Sequence, residues 1–222
     1  MRYKCLVLDH DDTAVKSTPE LHYPSFRLIM EELRPGARQY DLAEFTRKCY
    51  DPGFYELCVD ELGFTEKEME REYEIWKDYI KDKTPAFYDG FIDMVKRFKA
   101  SGGYVCVVSL SERAEIERHY RENGVELDLV YGWELPREQR KPSTYPLEQI
   151  FEKLGLEPED CLMVDDLRLG YDMAHACGVD FAAAGWSHGL LPEVAEFMNE
   201  HADYYFKTVK ELSDFVFGEQ SK

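Results

Sequence analysis

The sequence predicts an α/β fold: a parallel sheet with helices on both faces, interrupted after its first strand by an inserted helical module. Three observations carry this expectation. The run Cys5-Leu6-Val7-Leu8 is short and apolar and ends abruptly at Asp9, as a buried strand does. Residues 16–83 show helical spacing and no strand pattern. From Thr84-Pro85 onward, short apolar runs alternate with amphipathic helices, the pattern of a parallel sheet wrapped by its crossovers.

Taken in order, residues 5–8 form the first strand and carry Asp9, Asp11, Asp12 and Thr13 at its carboxyl end. In the inserted module, Phe26, Ile29, Met30 and Leu33 fall at i, i+3, i+4, i+7, and Met69, Tyr73, Trp76 and Ile80 continue the same kind of stripe. Shorter helices cover 42–50 and 54–62, and Pro35-Gly36, Pro52-Gly53 and Gly63 divide them. The domain reading is therefore a core of residues 1–15 and 84–222 and a helical module of residues 16–83. Within the core, a helix over 91–101 stops at Gly102-Gly103 and a strand follows over 104–109. A helix over 112–122 stops at Asn123-Gly124, and a strand covers 129–131. A helix with Leu147, Ile150, Phe151 and Leu154 on one face ends at Gly155. A strand over 161–164, a short helix over 173–177, a strand over 181–184, and a last strand and helix within 204–217 complete the chain.

Composition narrows the function. Forty-five acidic residues against 27 basic ones give a net charge of −18, a field that repels nucleic acid and anionic membranes, so neither is an expected partner. An anionic small substrate would need a local cation or a metal ion to bind. The six cysteines form no C-x-x-C pair and several lie in apolar runs, so they read as small buried hydrophobes rather than zinc ligands or disulfides. No apolar run approaches the roughly 20 residues that cross a bilayer, and the strand pattern starts too early for a signal peptide, which points to the cytoplasm.

In an open parallel sheet, ligands bind at the carboxyl ends of the strands, so Asp9, Ser109 and Asp165 should meet. Asp9 and Asp11, one residue apart, can face the same side, one as nucleophile or metal ligand and the other as proton donor. Read alone, this segment is equally a polar loop in which Asp12 and Thr13 cap a helix. Asp165-Asp166 repeats the design at a second strand, and two acidic clusters suggest a hard cation, with magnesium suited to oxygen ligands and a shared phosphate. Ser109 and the helix start behind it offer donors to an anion. Lys141, in Arg140-Lys141-Pro142, reads by itself as a solvated surface charge.

In sequence order, Asp9-x-Asp11-x-Thr13, Ser109 at a strand end, Lys141-Pro142 and Asp165-Asp166 resemble the motifs of the haloacid dehalogenase superfamily of phosphohydrolases. Tyr88-Asp89-Gly90-Phe91, Leu154-Gly155-Leu156 with Pro158, and Ala174 with Cys177-Gly178-Val179 extend the resemblance over nearly the whole chain. The module after the first motif resembles the helical cap of phosphoglycolate phosphatases and β-phosphoglucomutases. The resemblance implies a Rossmann-like core, a mobile helical cap and magnesium-dependent phosphoryl transfer through an aspartyl phosphate. It implies that Asp9 attacks phosphorus, that Asp11 protonates the leaving oxygen and then activates water, and that Ser109 and Lys141 hold the phosphoryl group. Magnesium would be held by Asp9, the backbone carbonyl of Asp11, and Asp165 or Asp166.

The chain departs from the family pattern at three positions. Asp12 stands where the family usually has a small residue, His10 fills the position between the two aspartates, and Leu110 follows Ser109 where many relatives carry a polar residue. His10 is expected to point away from the acids, in a packing or surface role. The acid at Asp11 argues against a dehalogenase, and nothing marks Lys48 as the cap lysine of a phosphonatase. The leading expectation is a phosphatase for a small phosphomonoester, working as a monomer or homodimer. A sugar phosphomutase is the nearest alternative, and a receiver-like or non-catalytic phosphate-binding protein is the reading from another class.

Overall fold

In a computed structural model, residues 1–219 are described. The chain divides into two compact units, Met1–Val15 together with the chain from Phe87 onward, and Lys16–Ala86.

Along the chain the elements are β1 (Cys5–Leu8), then α1 (Tyr23–Leu33), α2 (Leu42–Lys48), α3 (Phe54–Glu56) and α4 (Glu66–Ile80) in the helical unit. The larger unit continues with α5 (Phe91–Ala100), β2 (Tyr104–Val108), α6 (Arg113–Glu122), β3 (Leu129–Tyr131), α7 (Tyr145–Leu154) and β4 (Cys161–Asp165). It ends with α8 (Arg168–Cys177), β5 (Asp180–Ala184), α9 (Pro192–His201), β6 (Tyr204–Phe206) and α10 (Val209–Phe217).

The expected parallel sheet is present, six strands in the order β3-β2-β1-β4-β5-β6. β1 lies at its centre, with Leu8 opposite Val107 on one side and Val164 on the other. Such a strand, covered on both faces, requires an apolar side chain at every position, which explains why Cys5, Leu6, Val7 and Leu8 are all fully buried. Leu6, Leu8, Val105, Val107, Leu162 and Val164 face one core with Phe91, Met94, Phe98, Ile116, Tyr120 and Leu212, so α5, α6 and α10 cover that side. The alternate strand residues face the other side, where α8 packs on β4 and β5 and also against α7.

The helical unit has its own core of Phe26, Ile29, Met30, Phe45, Leu57 and Phe64. Its longest helix, α4, starts in a reciprocal cap: the Thr65 hydroxyl accepts from the Glu68 N–H, and the Glu68 carboxylate accepts from the Thr65 N–H.

Several boundaries differ from the sequence expectation. The helix expected over 42–50 ends at Lys48 as regular α-helix, because Asp51, before Pro52, is extended with φ −146° and ψ 118°. Regular α-helix in the segment 54–62 is confined to Phe54–Glu56, and the chain continues over Leu57–Glu61 as a wider turn. α8 begins at Arg168, well before the expected 173–177, and α9 was not anticipated.

Candidate active site

From β1 the strand order runs one way through β2 and β3 and the other way through β4, β5 and β6. The crevice at the carboxyl ends of β1 and β4 is therefore the switch point of the sheet, the place where this topology leaves room for a ligand. Asp9 and Asp165 are delivered there side by side, and the Asp9 N–H extends the ladder by donating to the Val164 carbonyl at 2.8 Å.

Lys141 joins them. Its ammonium donates to Asp9 Oδ1 at 2.6 Å and to Asp165 Oδ2 at 2.7 Å, and its side chain is only 5% exposed. Burial by itself would strip its proton, but the two carboxylates overcome that and hold the lysine firmly charged. Asp9, Asp165 and Asp166 each offer an oxygen within 4.8 Å of the others, and all three are buried. One ammonium among three carboxylates leaves two negative charges uncompensated, and the proton affinities respond. Burial pushes the Asp9 carboxyl up to about 8, with Asp165 and Asp11 adding to the rise and Lys141 opposing it. Burial and the neighbouring acids raise Asp166 well above the carboxylate range. An all-oxygen, doubly negative cluster fits a hard divalent cation such as magnesium.

The surroundings fix these acids. The Thr13 hydroxyl donates to Asp166 Oδ1 at 2.9 Å, and the Leu167 N–H donates to Asp165 Oδ1 at 2.8 Å. His188 Nε2–H donates to the Asp166 carbonyl at 2.7 Å while its Nδ1 accepts from the Tyr205 hydroxyl, and burial keeps this imidazole's proton affinity low. The indole of Trp186 donates to the Thr13 carbonyl at 3.0 Å. Asp12 has a φ of 55°, a left-handed conformation that costs a side chain and suits glycine, which accounts for the family's preference for a small residue there.

At the end of β2, the Ser109 N–H donates to the Tyr131 carbonyl, and the buried Ser109 hydroxyl accepts from the Ser111 N–H at 3.1 Å. The Ser111 hydroxyl in turn donates to Asp11 Oδ2. Asp11 is thus linked to Ser109 through Ser111, and its carboxylate is not one of the three that cluster with Lys141. Leu110 is partly exposed between the two serines.

The structure thus gathers Asp9, Lys141, Asp165 and Asp166 directly and brings Asp11 and Ser109 together through an intermediary. Sequence reasoning missed that intermediary, Ser111, and it missed Gly170. A Cβ at Gly170 would lie 2.1 Å from Asp165 Oδ2, so the glycine makes room for the carboxylate that Lys141 holds. The only signal for Gly170 was a glycine in the first turn of a helix. Of the packing and surface roles expected for His10, the structure shows packing: it is buried, its Nε2 lies 3.0 Å from His119 Nδ1, and the two rings stack. Lys48 pairs with Glu61 and Arg168 with Asp172, on the surface.

Comparison with known proteins identifies the family. The family described as haloacid dehalogenase-like hydrolase matches residues 6–184. Phosphoglycolate phosphatase 1 of Pseudomonas aeruginosa is 26% identical over 206 residues, covering 84% of this chain and 71% of that protein. Among solved structures, a haloacid dehalogenase-like hydrolase of Streptococcus pneumoniae superposes with a TM-score of 0.75 at 17% identity, over 97% of this chain and 99% of its own. CbbY of Rhodobacter sphaeroides, solved in complex with phosphate, gives 0.73 at 18% identity, over 95% and 96%. With the family match running from β1 to the end of β5, and the expected acids and lysine converging at the switch point, the chain belongs to the haloacid dehalogenase-like hydrolase family, as one of its phosphohydrolases.

Proposed function

We propose that this enzyme is a magnesium-dependent phosphatase that hydrolyses a small phosphomonoester through an aspartyl phosphate on Asp9. The observation that carries the reading is the buried cluster of Asp9, Asp165 and Asp166 with only Lys141 to balance it. Phosphoryl transfer asks a protein chiefly for positioning and charge stabilisation, and this cluster is built for both.

In the proposed cycle an Asp9 oxygen attacks phosphorus and the ester P–O bond breaks, with Asp11 giving its proton to the departing alkoxide. Asp11 then takes a proton from water, which attacks the phosphorus of the acyl phosphate, releasing inorganic phosphate and restoring Asp9. Lys141 fixes the attacking carboxylate and balances charge on the phosphoryl oxygens, and the Ser109 hydroxyl donates to one of them. Magnesium, held by Asp9, the Asp11 carbonyl and Asp166, would supply further charge stabilisation for those oxygens. Asp166 is the better direct ligand of its pair, since both Asp165 oxygens already accept hydrogen bonds from Lys141 and Leu167.

Residues 16–83 are proposed as the cap, the part that selects the leaving group. The partner is a small phosphate ester, not a nucleic acid or a membrane, consistent with the net charge of −18 and with the lack, among the described residues, of a helix long and apolar enough to cross a bilayer. The enzyme is proposed to act in the cytoplasm as a monomer or homodimer.

The test is phosphate release from short-acid, sugar and nucleotide phosphates, with and without magnesium. Short-acid phosphates come first, because the Pseudomonas relative is named for phosphoglycolate. Metal-dependent release that is abolished in Asp9→Asn and at least about 100-fold slower in Lys141→Ala is expected. Release from none of them overturns the reading, and a sugar phosphate isomerised without release points to a mutase.

A further inference from the structure

Ser111 is placed to do more than close a turn. Its hydroxyl donates to Asp11 Oδ2, its N–H donates to Ser109 Oγ at 3.1 Å, and its carbonyl accepts from the Trp133 N–H at 2.9 Å. One half-buried residue thus ties the acid after β1 to the hydroxyl after β2 and to the loop after β3. The neighbouring Leu110 has no side-chain donor to share this work.

We infer that Ser111 is the positioning residue for the Asp11 carboxyl, and that it sets how well the enzyme expels poor leaving groups; this rests on the phosphatase reading above. The Asp11 carboxyl is only partly buried, so packing alone does not fix its rotation about the Cβ–Cγ bond. A hydroxyl bound to Oδ2 does. The same residue's N–H occupies a lone pair of Ser109 Oγ, which turns the Ser109 O–H away from its own loop. A general acid contributes about 100-fold to 10,000-fold when the leaving oxygen must be protonated. It contributes little when the departing oxyanion is already stable. Loss of the Ser111 hydroxyl therefore slows formation of the aspartyl phosphate selectively for alkyl esters, whereas a purely structural link between loops would slow it alike for all; the later attack of water, in which Asp11 takes the proton, is common to every ester and does not enter kcat/KM.

The experiment compares wild type with Ser111→Ala, Ser111→Cys and Ser111→Thr on 2,4-dinitrophenyl, 4-nitrophenyl, phenyl and simple alkyl phosphates, reading kcat and KM for each. Cysteine keeps the volume of serine with only a weak donor, so it preserves the fold should alanine fail to, and thermal melts monitor all four proteins. In the alanine and cysteine variants, kcat/KM on alkyl and phenyl phosphate should fall at least about 10-fold, a fraction of the general-acid contribution. On the dinitrophenyl ester kcat/KM, which reports only formation of the aspartyl phosphate, should stay within about twofold of wild type, since that leaving group needs no proton. Threonine, which restores the hydroxyl, should recover the alkyl rate. Equal losses of kcat/KM on every ester, or no loss on any, overturn the assignment. A wild type that hydrolyses the aryl esters separates that failure from one of the phosphatase reading itself, which would appear as no turnover by any of the four proteins.

Discussion

Gly170 is the third residue of α8, a position where alanine would ordinarily stabilise a helix by about 1 kcal/mol. Here a Cβ would stand 2.1 Å from Asp165 Oδ2 and 2.4 Å from its Cγ, and that carboxylate is held by Lys141 and the Leu167 N–H. The clash outweighs the propensity, because Asp165 can yield only by leaving its partners. Gly170→Ala is therefore expected to lower both melting temperature and turnover, the latter by about 100-fold if the lysine shifts by an ångström. A variant that melts higher and works normally would show that the cluster tolerates the methyl. At this scale the site was largely legible. Asp9, Ser109 and Asp165 each end an apolar strand, and Lys141 could be singled out by its place among the motifs. Ser111 and Gly170 were not identified, because a serine beside a helix start and a glycine in a helix both have ordinary local explanations. Ser111 acts on a residue 100 positions away, which no local pattern encodes, and the demand on Gly170 is the steric one of the folded Asp165 carboxylate.

At the scale of the element, α4 carries an unusual burden. Glu72 is only 7% exposed on it, and burial pushes its carboxyl from an ordinary value of 4.5 up to about 7, with the His22 charge only partly opposing this. Cys58 lies close enough for its thiol to feel Glu72 as well. A carboxyl that holds its proton more tightly when folded supports the fold at low pH and loses that support as pH rises from the unfolded value through the folded one. The window is therefore pH 4.5 to 7, and urea melts should show about 3 kcal/mol of stability lost across it. Glu72→Gln should flatten that profile and be the more stable protein at pH 8; an unchanged slope would place the titration elsewhere. The sequence marked this helix correctly by its Met69, Tyr73, Trp76 and Ile80 stripe, but gave no hint that an acid lay on its inner side. Where element prediction failed, the stripe was short: α9 has few apolar positions, Val194, Phe197 and Met198 among them, and the first turn of α8 holds Arg168 and Gly170. Tertiary packing and the acids of the site, rather than periodicity, define those helices.

For the whole molecule, the net charge of −18 opposes the approach of the anionic ester that the cluster is proposed to bind. Raising salt shortens the Debye length to about 10 Å at 0.1 M and screens that repulsion. The value of kcat/KM for a phosphomonoester should therefore rise between about 10 and 100 mM salt at constant magnesium, with kcat little changed. A fall instead would mean that local cations steer the substrate more strongly than the global charge repels it. The central position of β1 has a consequence of another kind. Its partners begin at Tyr104 and Cys161, so the middle strand of the sheet is made long before either neighbour exists. During translation, Cys5, Leu6, Val7 and Leu8 must wait, unpaired and apolar, while the whole of residues 16–86 emerges from the ribosome. That intervening unit closes its own core from nearby residues and can settle first, so the nascent chain would carry a finished helical body on an open tether. β1 can gain both its neighbours only after residue 165 clears the exit tunnel, which makes that interval the one in which a chaperone has most to protect.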